Sequence, residues 1–170
     1  MKKHLLLLIV LTVAIQSLIA QSNNEPPFKR FPTVPPFALL QPDSTTFTKD
    51  SMQKGKPVLL MYFSPTCDHC QHQVEDMIRQ SDSFKNIQII MATYSPMNEL
   101  IDFMNTYALN RFPNLKAGRD TKYMLQPFYK ISGLPYQALY DTSGNLITTF
   151  EGNVKVDQVL SAFQKKDQGL

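Results

Sequence analysis

The sequence predicts an α/β fold, a three-layer sandwich in which helices cover both faces of a mixed central sheet that carries an added N-terminal β-hairpin. Two observations predict it. Apolar runs of strand length at 58–63 and 87–94 are each followed by a segment with helical spacing of apolar residues. Further along the chain, two strand-like segments joined by a turn precede a final amphipathic helix. This alternation of strands and helices is typical of layered α/β folds.

The first elements are a hairpin, a central strand and a helix. Residues 37–48 are predicted as two short strands around a Pro-Asp-Ser turn, because these residue types favour turns. The run at 58–63 is apolar at consecutive positions, which indicates a strand buried on both faces. Residues 68–80 follow as a helix with apolar side chains on one face.

The remaining elements follow from the same reasoning. Residues 87–94 are predicted as a second buried strand, and a helix opens at Ser95. A loop is predicted at 111–120, and the helix predicted at 121–131 is expected to break near Pro127, because proline disrupts a helix interior. Two strands at 134–141 and 145–152, joined by a turn that contains Gly144, and a closing helix at 154–166 complete the chain.

The first 20 residues have the layout of a secretory signal peptide. Lys2 and Lys3 precede an apolar run that is shorter than the roughly 20 residues needed to span a bilayer. We expect cleavage after Ala20 or after Ser22, and an uncleaved membrane anchor is the alternative. The sequence therefore predicts an exported protein, located in a bacterial periplasm, that is soluble or anchored by its N-terminus.

Between the signal peptide and the predicted domain of residues 37–170 lies a leader, residues 21–36. It is polar and rich in proline, without apolar periodicity, so we expect it to extend from the domain or to lie along its surface. Removing residues 1–20 removes two of the 17 basic side chains and leaves 15 against 14 acidic ones. A nearly neutral chain gives no electrostatic argument for a nucleic acid partner.

The only two cysteines of the chain, Cys67 and Cys70, are separated by two residues at the start of a predicted helix. A structural crosslink is disfavoured, because a bridge across two residues constrains the unfolded chain only slightly. Residues at i and i+3 share a helix face and are close enough for a reversible disulfide. The helix N-terminus stabilises the thiolate of Cys67, while Cys70 is expected to be shielded and to act as the resolving thiol.

The residues between and after the cysteines could change the stability of a cysteine thiolate, or they could bind a metal ion. Protonated His69 would stabilise a neighbouring thiolate, whereas the negative charge of Asp68 would disfavour it. With His72, the same segment could supply metal ligands, copper(I) being the favoured ion. On one helix start these side chains fan out, so we predict no metal site.

Three segments together resemble a known family: GKPVLLMYFSPTCDHC, ISGLPYQALYD and GNLITTFEG. From about Phe37 to Phe163 the chain is similar to the thioredoxin superfamily, specifically the exported TlpA/ResA-like thiol-disulfide oxidoreductases. The resemblance implies a thioredoxin-like fold and catalysis by Cys67 and Cys70 without a cofactor. It also implies that Pro135 is a cis proline facing the dithiol, and that the backbone of Leu134 binds the partner chain.

The sequence departs from that family at three positions. Thr66 replaces the tryptophan before the first cysteine, and Met61 replaces the buried carboxylate six residues before it. Gln73 replaces the glutamate that ResA-like members carry six residues after it. The proton acceptor for Cys70 is therefore unassigned, and Glu75 lies at a poorly suited helical position.

The resulting prediction is an enzyme, an extracytoplasmic thiol-disulfide oxidoreductase that exchanges disulfides with protein substrates, with reduction favoured over oxidation. Its partners would be protein thiols and disulfides and an upstream protein electron donor or acceptor. One alternative is a copper(I)-binding or non-catalytic thioredoxin-fold binding module. Another is a thiol peroxidase, although its P-x-x-x-T-x-x-C motif is broken at Leu60 and Ser64.

Overall fold

The computed structural model describes residues 25–167, so the predicted signal peptide of residues 1–20 lies outside the described residues. Within the described range, no helix is both long and apolar enough to cross a membrane. The helices are α1 (Pro27–Arg30), α2 (Asp68–Arg79), α3 (Met97–Thr106), α4 (Leu125–Tyr129) and α5 (Val156–Asp167). The strands are β1 (Ala38–Leu40), β2 (Thr46–Thr48), β3 (Val58–Tyr62), β4 (Gln88–Thr93), β5 (Leu115–Arg119), β6 (Tyr136–Tyr140) and β7 (Leu146–Glu151).

A seven-stranded mixed sheet runs in the order β2-β1-β5-β4-β3-β6-β7. Strands β3, β4 and β5 are parallel, and the other neighbours pair antiparallel. Every residue of β3, β4 and β6 is buried, which explains why the first two could be recognised as continuous apolar runs. Strand β3 lies inside the sheet. Its carboxyl end, and the cysteines that follow it, therefore lie in the middle of the side of the sheet where the parallel strands end.

Helices cover both faces of this sheet. On one face, α2, α3 and α5 pack over a core that includes Met61 and Phe63. On the other face, α1 and α4 pack over a second core that includes Leu60 and Tyr62. Fully burying a side chain such as Leu60 contributes roughly 2 kcal/mol of hydrophobic stabilisation. The predicted three-layer sandwich is confirmed.

The predicted N-terminal hairpin is also confirmed. Strands β1 and β2 pair antiparallel, with Ala38 opposite Thr48 and Leu40 opposite Thr46. In the connecting turn, Asp43 accepts hydrogen bonds from the backbone N–H and the hydroxyl of Thr45. The turn residues therefore satisfy their own polar groups, as expected for this residue composition.

The prediction of a loop over residues 111–120 is wrong, because this segment contains strand β5. The strand pairs parallel with β4 and holds β1 on its other side. Its sequence has no β-branched residue, so its conformation depends on neighbours that are distant in the chain. A Cβ atom at Gly118 would lie 2.8 Å from Leu39 Cβ, so glycine is required for β1 to approach.

The predicted break near Pro127 is wrong as well, because Pro127 lies inside α4. It is the third residue of the helix, where a backbone N–H has no partner within the helix, so its ring costs no hydrogen bond. The helix is instead shorter at its start than predicted. The buried carboxylate of Asp120 accepts hydrogen bonds from the N–H groups of Met124 and Leu125 and fixes that start.

The described part of the predicted leader lies along the domain. One turn of helix, α1, places Phe28 against Tyr129 of α4, with ring centroids 6.0 Å apart. Val34 is only 2% exposed, and Thr33 forms an isolated antiparallel bridge with Asn145. Of the two arrangements expected for the leader, residues 25–36 therefore adopt the one in contact with the sheet.

Candidate active site

Cys67 lies just beyond the carboxyl end of β3, where the chain turns into α2. Its backbone is extended, with φ −91° and ψ 116°, and it is the N-cap residue of the helix. Its sulfur accepts a hydrogen bond from the N–H of Cys70 at 3.4 Å. Backbone N–H groups at a helix N-terminus carry partial positive charge, so the Cys67 sulfur lies at the positive end of α2. The side chain is half-buried and hence accessible.

Cys70 lies one turn further into α2, and none of its surface is exposed. Burial raises the pKa of the Cys70 thiol well above its ordinary value, and the hydrogen bond with Cys67 raises it further. The thiol of Cys70 therefore stays protonated at neutral pH. The predicted shielding of Cys70 is confirmed, and its role as the resolving thiol stays a prediction.

The peptide bond between Leu134 and Pro135 is cis, as predicted. It lies directly before β6, the antiparallel neighbour of β3, and the Leu134 carbonyl oxygen is 4.0 Å from the sulfur of Cys67. Within residues 25–167, the N–H of Leu134 has no backbone hydrogen-bond partner. An unpaired backbone group thus lies beside the accessible thiol.

Asp68 and His69, the two residues between the cysteines, are both exposed in the first turn of α2. The carboxylate of Asp68 is at the helix end where a negative charge is favourable, by about 0.3–1 kcal/mol. His72 makes a hydrogen bond from its ring Nδ1 to the Asp68 carbonyl. In the described chain, no three His, Cys, Asp or Glu side chains are grouped so that they could hold a metal ion. The tuning roles of Asp68 and His69 stay predictions.

A buried pair of amides, Gln73 and Gln137, lies behind the dithiol. Gln73 follows Cys70 by three residues on the same helix face, and Gln137 lies opposite Met61 in the sheet. Gln73 Oε1 accepts hydrogen bonds from Gln137 Nε2 at 3.2 Å and from the N–H of Val154 at 2.7 Å. Both glutamines have no exposed surface. A neutral amide pair thus lies near the position at which the resemblance places a carboxylate.

Glu75 does not take the place of that carboxylate. The pKa of Tyr107, the residue that follows α3, is raised first by burial and second by the negative charge of Glu75. The charge of this carboxylate is therefore felt at the C-terminal end of α3. The pKa of Cys70 is raised by burial and by its contact with Cys67, and no carboxylate of the described chain contributes to that change. The proton acceptor for Cys70 thus stays unassigned, as it was from the sequence.

Sequence reasoning missed one residue that contacts the segment before Pro135. Glu151, the last residue of β7, accepts hydrogen bonds from the N–H and hydroxyl of Ser132 and from the N–H of Gly133. These hydrogen bonds, that of the Ser132 hydroxyl foremost, lower the pKa of the Glu151 carboxyl. No local pattern marks this residue, because its partners lie 18 and 19 positions away in the chain.

The raised pKa of Cys70 makes the stability of the dithiol form depend on pH. In the unfolded chain the thiol ionises near its ordinary pKa of 9.0, whereas in the fold it stays protonated. This stabilisation is therefore complete below pH 9.0 and is lost as the pH rises above it, by roughly 1 kcal/mol or less per pH unit after solvent screening. We expect urea unfolding to show a steeper loss of stability above this pH for the dithiol form than for the disulfide form. The tyrosines titrate in both forms, so an equal pH dependence of the two would contradict the raised pKa.

The chain is similar to known proteins in sequence and in fold. Residues 32–163 match the AhpC/TSA family. The thioredoxin-like protein SkfH of Bacillus subtilis is 26% identical over 150 residues, which cover 87% of this chain and 99% of that protein. A secreted disulfide oxidoreductase of Mycobacterium tuberculosis, homologous to DsbE of E. coli, superposes with a TM-score of 0.61 over 76% of this chain and 95% of its own, at 16% identity.

A second solved structure with the same fold is that of a peroxidoxin. Peroxidoxin BcpB of Mycobacterium tuberculosis superposes with a TM-score of 0.65 over 78% of this chain and 94% of its own, at 14% identity. The predicted thioredoxin-like fold is confirmed by these superpositions. Because a disulfide oxidoreductase and a peroxidoxin share the fold, the reaction depends on the residues of the site and not on the fold.

Proposed function

Because the chain belongs to the AhpC/TSA family and carries one accessible and one shielded thiol a helical turn apart, we propose that it is a thiol-disulfide oxidoreductase acting on protein partners. The observation that carries this proposal is the placement of Cys67. Its sulfur caps the N-terminus of α2 and faces the Leu134 carbonyl oxygen at 4.0 Å. A thiol so placed lies at the positive end of a helix and has a neighbouring backbone on which a partner can dock.

The reaction proceeds by two successive thiol–disulfide exchanges. The Cys67 thiolate attacks one sulfur of a partner disulfide, a Cys67–partner bond forms, and the second partner sulfur leaves and takes up a proton from water. Cys70 then loses its proton to water and attacks the Cys67 sulfur. The partner leaves as a thiol, the Cys67–Cys70 disulfide forms, and two electrons have passed to the partner. An upstream dithiol protein restores the pair by the reverse exchange.

The backbone of Leu134 gives the partner chain a place to bind. Its free N–H, and its C=O beside Cys67, can pair with an extended segment as an added strand does. Backbone pairing places few demands on the partner's side chains. This favours partners that share an accessible disulfide rather than a common sequence.

Export and the direction of electron transfer belong to the same proposal. Lys2, Lys3 and the apolar run after them have the layout of a signal peptide, which supports a location outside the cytoplasm. Reduction is favoured because the frame around the cysteines resembles reductases. Reduction requires a donor protein, because the thiol pair supplies only two electrons per turnover.

The proposal predicts that catalytic amounts of the purified protein accelerate the reduction of insulin by dithiothreitol. Titration against glutathione should give a reduction potential near the reducing end of the range from about −270 to −120 mV that related dithiols span. Two parallel assays test the alternatives. Faster reaction with hydrogen peroxide than with insulin would favour a thiol peroxidase, and stoichiometric copper(I) binding without insulin reduction would favour a binding module. Either result would overturn the proposal.

A further inference from the structure

Glu151 holds the segment that leads into the cis peptide bond. Its Cα lies opposite Tyr136, the first residue of β6, and its side chain reaches back to the residues before that strand. A single oxygen, Oε1, accepts hydrogen bonds from the N–H of Ser132 at 2.8 Å, from its hydroxyl at 2.9 Å, and from the N–H of Gly133. The next residue of the chain, Gly152, donates its N–H to the Pro135 carbonyl at 2.8 Å.

The end of β7 therefore contacts the chain both before and after Leu134. The Ser132–Gly133 peptide group, which precedes it, is held by the Glu151 side chain, and the Pro135 carbonyl, which follows it, accepts a hydrogen bond from the N–H of Gly152. The Leu134 carbonyl oxygen, which lies between these two contacts in the chain, is 4.0 Å from the Cys67 sulfur. Gly133 permits the close approach, because a Cβ atom there would lie 3.3 Å from Glu151 Cγ.

We propose that Glu151 is a positioning residue, which holds the Leu134 backbone in the orientation that aligns a partner disulfide with Cys67. The inference rests on the proposed function and adds to it a residue outside the cysteine segment. Hydrogen bonds to a charged acceptor are roughly twice as strong as neutral ones. Glu151 is exposed and lies outside both apolar cores, so its contacts serve this segment rather than the packing of the domain.

The test compares two kinds of disulfide substrate in variants of Glu151. For Glu151→Ala we expect kcat/KM with insulin to fall about tenfold, mainly through KM, within the hundredfold that a misplacement of about 1 Å can cost. Reaction with the small disulfide 5,5′-dithiobis(2-nitrobenzoate), which needs no backbone docking, should stay within about twofold of wild type. Glu151→Gln keeps the accepting oxygen and should recover most of the lost activity.

A matched control and three further outcomes make the test decisive. Glu99→Ala removes the same charge from a half-buried position of α3 and should leave both substrates unaffected. An active wild type with an unchanged Glu151→Ala variant would overturn this inference alone. Equal loss with both substrates would also overturn it, because Glu151 would then support the fold as a whole. A wild type inert toward insulin would instead overturn the proposed function, and this inference with it.

Discussion

Replacing Cys67 by serine is expected to lower the rate of insulin reduction by about a thousandfold or more, because a hydroxyl at the helix N-terminus stays protonated and does not attack a disulfide. Replacing Cys70 by serine should abolish turnover equally but leave the first exchange intact. The Cys70→Ser protein should therefore accumulate a mixed disulfide through Cys67. Mass spectrometry of the trapped species gives the partner, and dithiothreitol should release it.

The two variants control for each other, since both remove one thiol of the same pair. The difference in exposure predicts which of them traps: Cys67 is half-buried, whereas Cys70 has no exposed surface. A mixed disulfide that accumulates in Cys67→Ser but not in Cys70→Ser would reverse the order of attack. Turnover retained in either variant would contradict the two-thiol mechanism.

Replacing Gln73 by leucine is expected to destabilise the fold by about 3 kcal/mol, because it leaves two donors without their acceptor in a buried site. These donors are Gln137 Nε2 and the N–H of Val154, which both donate to Gln73 Oε1. Urea unfolding measures the change in the free energy of unfolding. The variant Gln158→Leu, at an exposed position of α5, should stay within about 0.5 kcal/mol of wild type.

A double variant separates the loss of hydrogen bonds from a change in packing. In Gln73→Leu/Gln137→Leu both amides are replaced, so only the Val154 N–H remains without its acceptor. We expect the double variant to be more stable than Gln73→Leu by about 1 kcal/mol, since removing both partners of a buried pair is less costly than removing one. Additive losses would contradict the pairing of the two side chains.

The parts of the fold that could be predicted are those that local pattern determines. Strands β3 and β4 are buried on both faces, so their apolar character is continuous and needs no knowledge of their neighbours. Helix α2 begins a short loop after the apolar run ends, and Cys67 could be placed at its N-terminus from spacing alone. The shielding of Cys70 then follows from helical periodicity.

The parts that could not be predicted depend on contacts between distant residues. Strand β5 has no strand-like composition and forms because β4 and β1 flank it. Gln73 and Gln137 are 64 residues apart, and their pairing requires the register of β6 against β3. Glu151 appears in the sequence as an ordinary strand-end residue, and its role depends on the path of residues 132–133.

The contact between the leader and β7 also determines which sheet edges remain open to other chains. The N–H of Leu146 donates to the Pro32 carbonyl, so the start of this outermost strand is already occupied. Pro32, Pro35 and Pro36 have no backbone N–H, so the occupying segment is a poor template for another strand. The opposite boundary, β2, is only three residues long. Both margins of the described sheet are therefore poor templates for pairing with the strand of another chain.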